Sequence, residues 1–230
     1  MVIGDIGTGK TASLRNLDPK THFYINCDTG KELPFKGAKN YKTVLQDPKS
    51  NKLMGNIDTE KCNTITTTQI KGISYLLNLI SNEMSHIKVV TIDTISSAMT
   101  SEFMSQAKMP GWDKFTDQAL NTWNLITSVP KLREDLIVVV IAHSQLNKEG
   151  TRDFFNPGGK LIEEKAKPAA QYSLILETFV ERISEKEVNY WFKTQNDGFN
   201  IARSPMEMFD NFLIPNDLNE VINTYYKYYN

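Results

Sequence analysis

The chain has 230 residues, 40 % hydrophobic and 23 % charged, with 12 Gly, 9 Pro and a net charge of −1. That profile excludes disorder, collagen-like repeats and an overall field that would by itself draw nucleic acid. Two cysteines, Cys27 and Cys62, are too few for a disulfide framework and lack metal-ligand spacing. The longest apolar run, Leu136–Ala142, falls far short of the ~20 residues of a membrane helix, and no charged-then-apolar leader opens the chain. The expected compartment is the cytoplasm.

The first predicted element is a phosphate loop. Residues 4–11 read GDIGTGKT and satisfy G-x-x-x-x-G-K-[ST] through Gly4, Gly9, Lys10 and Thr11. Gly7 adds freedom for the backbone to curl its N–H groups toward phosphate oxygens. Gly4, Asp5, Ile6, Gly7, Thr8, Gly9, Lys10, Thr11 and Ala12 are the candidate nucleotide-binding residues. Lys10 would reach the β- and γ-phosphates, and the Thr11 hydroxyl would hold Mg²⁺. The segment TASLRNL, ending at Asp18-Pro19, predicts a helix whose N-terminus lies under the phosphates. A Gly-rich turn ahead of an unrelated helix is the competing reading. Only Met1, Val2 and Ile3 precede Gly4, fewer than the ~5–6 residues of a typical strand, so the expectation is a clipped strand.

A strand at HFYINC (22–27) follows, ending in Asp28. An extra strand between the two nucleotide-binding strands marks NTPases that polarise water, and Asp28 and Glu32 are the general-base candidates. Asp28 reads equally as a turn former before Gly30. Residues 38–66, polar and carrying Asp47-Pro48 and Gly55-Asn56, predict a surface excursion. An amphipathic helix begins near Thr67, with Ile70, Ile73, Leu76, Leu77, Ile80 and Met84 at helical spacing.

KVVTID (88–93) predicts a buried strand that delivers Asp93 to the metal side of the site; helix N-capping is its other reading. Two helices follow, one carrying Ile95, Met99 and Phe103, the other Phe115, Ala119, Trp123 and Ile126, separated at Met109-Pro110-Gly111. LIVVVIA (136–142) reads as a parallel strand covered on both faces. It ends at His143-Ser144-Gln145, where His143 and Gln145 are candidates for contact with the γ-phosphate or the attacking water. Residues 146–160 predict a mobile loop. Arg152, Lys160, Lys165 and Lys167, with Phe154 and Phe155, supply the charge and stacking surface that single-stranded DNA requires. A solvated loop with its Phe side chains packed down is the alternative. Strands at 171–180 and 188–194 predict a hairpin, and a helix is expected from 216 to 230.

Together these elements predict an α/β fold with a mainly parallel sheet flanked by helices and a C-terminal β-hairpin, and their order resembles a RecA-like P-loop NTPase core. All 230 residues are read as one P-loop ATPase domain. More narrowly, the chain resembles the RecA-like P-loop ATPases of bacteriophages and prophages, including Sak-type single-strand annealing ATPases. The residues carrying the resemblance are GDIGTGKT (4–11), RNLDP (15–19), GKELPFKG (30–37), IAHSQ (141–145), KTQNDG (193–198), RSPMEMF (203–209) and IPNDL (214–218).

The resemblance implies ATP and Mg²⁺ as cofactors, ATP hydrolysis, and a role in DNA recombination, annealing or replication in a bacterial host's cytoplasm. It also implies single-stranded DNA and a single-strand-binding protein as partners. Protomers would assemble into a homo-oligomer with nucleotide at the interface. In relatives a K-x-R-x-G element reaches the neighbour's γ-phosphate; here Lys193 and Gly198 stand one register off that spacing, and Gln195 replaces the arginine. Lys193 and Arg203 are the trans-acting candidates. The alternatives are a nucleotide-dependent assembly module with little turnover, and a kinase, for which Arg152 and Arg182 make a poor lid.

Overall fold

A computed structural model describes residues 1–47, 55–108, 113–148, 150–155 and 167–230. Its centre is a sheet in which β1 (Val2–Gly4), β2 (His22–Asn26), β3 (Thr64–Thr66), β4 (Val89–Asp93), β5 (Ile137–Leu146) and β7 (Leu176–Arg182) run parallel. The order across the sheet is β3-β2-β4-β5-β1-β7-β8-β9. The last two, β8 (Val188–Lys193) and β9 (Leu213–Pro215), are antiparallel, as is β6 (Arg152–Phe154) on β5.

Side chains alternate across the strands with period two, which divides the core between the two faces. Ile3, Phe23, Ile25, Val90, Ile92, Val140 and Ala142 face one layer, filled by α1 (Ile70–Glu83), α2 (Ile95–Ser105) and α3 (Asp113–Ser128). Val2, Tyr24, Val89, Val139 and Ile141 face the other, where Leu14, Leu17 and the Leu218, Val221 and Ile222 stripe of α4 (Leu218–Tyr229) pack. The fold is therefore mixed α/β, with a mostly parallel sheet flanked by helices, as the strand pattern predicted. All five residues of β2 and of β4 are buried, which is why both read as continuous apolar runs broken only by His22, Asn26, Thr91 and Asp93. His22 is accommodated as a neutral ring between Tyr41 Oη and Thr91 Oγ1, its pKa pushed down to about 3 by burial.

Four expectations are corrected. The helix predicted from TASLRNL is a single 3-10 turn, Thr11–Leu14. Leu14 and Leu17, both buried, stand three residues apart, and Ser13 Oγ donates back to Lys10 O at 2.5 Å. That turn is too short to offer a helix dipole. The strand between β1, which leads into the phosphate loop, and β4, which ends at Asp93, is β5, not β2, which lies beyond β4. The 38–66 segment is more than a surface excursion, because it contributes β3 and buries Ile57, Cys62 and Ile65 in the main core. The strand carrying His143 continues to Leu146 and turns back into β6, pairing Ser144 with Phe154 and Leu146 with Arg152. The first part of the predicted 146–160 loop is thus a β-hairpin, while Lys160, Lys165 and the Met109-Pro110-Gly111 break lie outside the described residues.

Candidate functional site

Parallel strands β1 and β4 end, and β5 passes between them, at one end of the sheet, in register: Gly4 opposite His143, and Ile141 opposite Asp93. The phosphate loop crosses this edge. Gly4 must be glycine because a β-carbon there would lie 1.8 Å from Thr178 Oγ1 on β7. Thr178 Oγ1 instead meets Thr8 Oγ1 at 2.5 Å, fixing the loop to the neighbouring strand.

Lys10 is 6 % exposed, and its ammonium donates to the carbonyls of Gly4 (2.9 Å) and Asp5 (2.6 Å). Two of its three N–H donors are thereby placed, leaving the third for an anion in the cleft. Burial lowers its pKa, against the opposing pull of Asp93 and Asp5. Thr11 Oγ1 donates to Asp93 Oδ2 at 2.6 Å, and Tyr24 Oη donates to the same oxygen at 3.2 Å. Asp93 is 2 % exposed, and burial raises its pKa to about 6. Its other oxygen, Oδ1, is buried without a hydrogen-bond partner. A hydroxyl and a carboxylate with a spare buried oxygen form the hard-oxygen donor set that suits Mg²⁺. Thr94, not Asp93, caps α2, accepting from the Ser97 N–H.

Asp28 borders the same cleft. Its Oδ1 accepts from Ser97 Oγ and from Thr94 Oγ1 (3.3 Å), and its Oδ2 pairs with Lys31 at 2.6 Å. Burial pushes its pKa up, but the hydrogen bonds from Lys31 and Ser97 outweigh that and hold it below the usual carboxylate range. Glu32 is exposed and does not line the cleft, so the structure brings in Asp28 alone of the two acidic candidates. His143 lines the cleft; burial, then the Lys10 charge, lowers its pKa, and its Nδ1 is buried without a partner. Gln145 does not reach it. With β5 running on past His143, Gln145 borders a separate pocket with Ile201 and Arg203.

The cleft has a volume of about 600 Å³, within the usual range for a small-molecule site. Arg15, Tyr190 on β8 and Asn216 ahead of α4 also line it, Tyr190 and Asn216 standing beside Gly9 of the phosphate loop. Sequence reasoning missed Tyr190 and Asn216, although IPNDL (214–218) was already conspicuous. It also missed an ion network. Asp5 accepts from Ser144 Oγ at 2.7 Å and pairs with Arg152, which lies 3.6 Å from the buried Glu177 on β7. Lys193 pairs with Glu177 at 3.5 Å and with Asp197 at 2.7 Å.

That network changes the reading of several candidates. Arg152 is committed to Asp5 and Glu177. Phe154 is buried in the core, so its ring offers no stacking face. Phe155 is half-buried beside the cleft, and its N–H donates to His143 O at 2.9 Å. Lys167 is exposed. Arg203 does not project as a finger, because its guanidinium is bonded to the carbonyls of Ala169, Ala170 and Tyr172. Gln195 bonds Ser204 Oγ at 2.7 Å. Among the described residues no group of three His, Cys, Asp or Glu side chains could hold a metal by itself, and no helix is long and apolar enough to cross a membrane.

Comparison with protein-family profiles and with curated proteins gives no match. Among solved structures, the chain is similar to the flagellar accessory protein FlaH from Methanocaldococcus jannaschii, with 10 % identity and a TM-score of 0.42 over 93 % of this chain and 81 % of that one.

Proposed function

We propose that the cleft binds a Mg²⁺–nucleoside triphosphate and hydrolyses its terminal phosphoanhydride. The observation that carries this reading is the 2.6 Å bond between Thr11 Oγ1 and Asp93 Oδ2, formed where a complete phosphate-loop motif meets the end of a buried strand. Lys10 and the loop N–H groups hold the phosphates, supplying positive charge where negative charge builds on the transferred phosphoryl group. Thr11 and Asp93 would hold Mg²⁺, which neutralises phosphate charge when bound. Asp28 orients the attacking water by accepting a hydrogen bond from its O–H, and His143 faces the same space. The 3-10 turn after Thr11 shifts the burden of anion binding from a helix dipole to Lys10 and the loop backbone.

The wider role in phage DNA recombination or annealing rests on the resemblance of the motif set. So do homo-oligomers with nucleotide at the interface and Lys193 acting in trans. One local feature supports coupling between nucleotide and DNA. Phe155, at the start of the basic and aromatic segment, is tied through its N–H to His143 at the cleft. The test is phosphate release with Mg²⁺, with and without single-stranded DNA. The wild type turns over ATP and the Lys10→Ala variant loses activity by about 100-fold or more. Normal hydrolysis by Lys10→Ala would overturn the proposal, whereas tight wild-type binding without turnover would favour the assembly module.

A further inference from the structure

Among the described residues, the Asn216 side chain is a buried amide that nothing in the fold accounts for. Asn216 is 2 % exposed, and neither Oδ1 nor Nδ2 has a hydrogen-bond partner. Its position is nevertheless fixed by the main chain. Its N–H donates to Tyr190 O at 3.2 Å, and its carbonyl accepts from Arg15 Nη1 at 2.6 Å. The next residue, Asp217, caps α4 by accepting from the Asn219 N–H and also takes a hydrogen bond from Asn16 Nδ2. Two contacts therefore clamp the start of α4 onto the turn that follows the phosphate loop. Asn216 is among the residues lining the nucleotide cleft, and its buried amide packs 3.4–3.5 Å from where a β-carbon on Gly9 would stand.

A buried amide with both ends unpaired is costly, and native proteins almost always provide a partner. Here the residue carrying the amide belongs to the wall of a ligand cleft, so the partner is sought in the ligand. An asparagine side chain presents an acceptor beside a donor. Adenine presents the complement, an exocyclic amine beside a ring nitrogen, and this pairing recurs where proteins read that base. Tyr190, 46 % exposed on the same wall, offers a ring face on which the base can stack.

We propose that Asn216 is the base-reading residue of the site and selects adenine nucleotides, Oδ1 accepting from the amine and Nδ2 donating to the adjacent ring nitrogen. This rests on the nucleotide reading above. The test compares equilibrium binding of ATP, inorganic tripolyphosphate and purine riboside 5′-triphosphate, which lacks the amine, to the wild type and to Asn216→Ala. Wild type is expected to bind ATP about tenfold more tightly than the amine-free analogue, because that analogue leaves Oδ1 buried and unpaired. In Asn216→Ala the two should bind within about twofold of each other. Tripolyphosphate affinity should be the same for both proteins, which also verifies that the variant is folded. Equal wild-type affinities for ATP and the analogue would overturn this inference alone, as would an unchanged preference in Asn216→Ala. Failure of wild type to bind any of the three would overturn the nucleotide reading and this inference with it.

Discussion

Asp93 carries an unfavourable charge that the folded protein retains. Its carboxyl has a pKa near 6 in the folded chain against an ordinary 3.8, chiefly because burial penalises the ionised form. The native state therefore binds more protons than the unfolded state between those values, and stability falls as pH rises from about 3.8 to about 6. Above that window the whole cost is present. Asp93→Asn removes the charge and keeps an acceptor for Thr11. In the absence of Mg²⁺ it should raise stability at pH 7.5 by about 1–3 kcal/mol, with no gain at pH 3.5. Urea melts at the two pH values check this, and a variant no more stable than wild type at pH 7.5 would count against it. The same substitution should weaken Mg²⁺-dependent nucleotide binding. At this scale the motif residues were the most legible part of the sequence. Lys10, Thr11 and Asp93 converge because their types and spacing encode chemistry directly. Asp5 and Asn216 were not legible in those roles, since Ser144 and Arg15, which they bond, lie more than a hundred positions away in the chain.

Among the elements, strands were read more securely than the connections between them. The apolar runs of β4 and β5 announce strands buried on both faces, whereas the turn after Thr11 has helix-forming residues yet stays a 3-10 turn. There, side-chain bonding by Ser13 and the burial of Leu14 and Leu17 override propensity, which is worth only tenths of a kcal/mol per residue. The β5–β6 hairpin was hidden for a related reason: Asn147, Lys148 and Gly150 look like loop and do form its turn, but the pairing of Arg152–Phe154 with β5 is decided by the neighbouring strand. The closeness of β1 to β7 supplies a prediction at this scale. Gly4→Ala places a methyl 1.8 Å from Thr178 Oγ1, so it should cost about 1–3 kcal/mol in urea unfolding, and Thr178→Ala in the same chain should restore much of that loss. A Gly4→Ala protein as stable as wild type would show that the two strands are farther apart than described.

For the molecule as a whole, fold class was legible and strand order was not. The alternation of apolar strands and amphipathic helices points to a mostly parallel sheet with helices on both faces, but which strand lies beside which depends on packing between distant segments. That is why β5, which follows both in the chain, stands between β1 and β4. The consequence is functional, because β5 carries His143 to the middle of the edge where Lys10 and Asp93 meet. Overall charge adds a constraint. With a net charge of −1, any DNA contact must be local. The central claim is that Lys10, Thr11 and Asp93 form one site for a Mg²⁺-bound nucleoside triphosphate. Its most direct test is calorimetric titration of ATP into wild type and Thr11→Val, each with Mg²⁺ and with a chelator. Wild type should bind ATP at least about tenfold more tightly with Mg²⁺, and Thr11→Val should lose that dependence. ATP affinity that ignores Mg²⁺ in wild type, or a Mg²⁺ dependence that survives in Thr11→Val, would contradict the account.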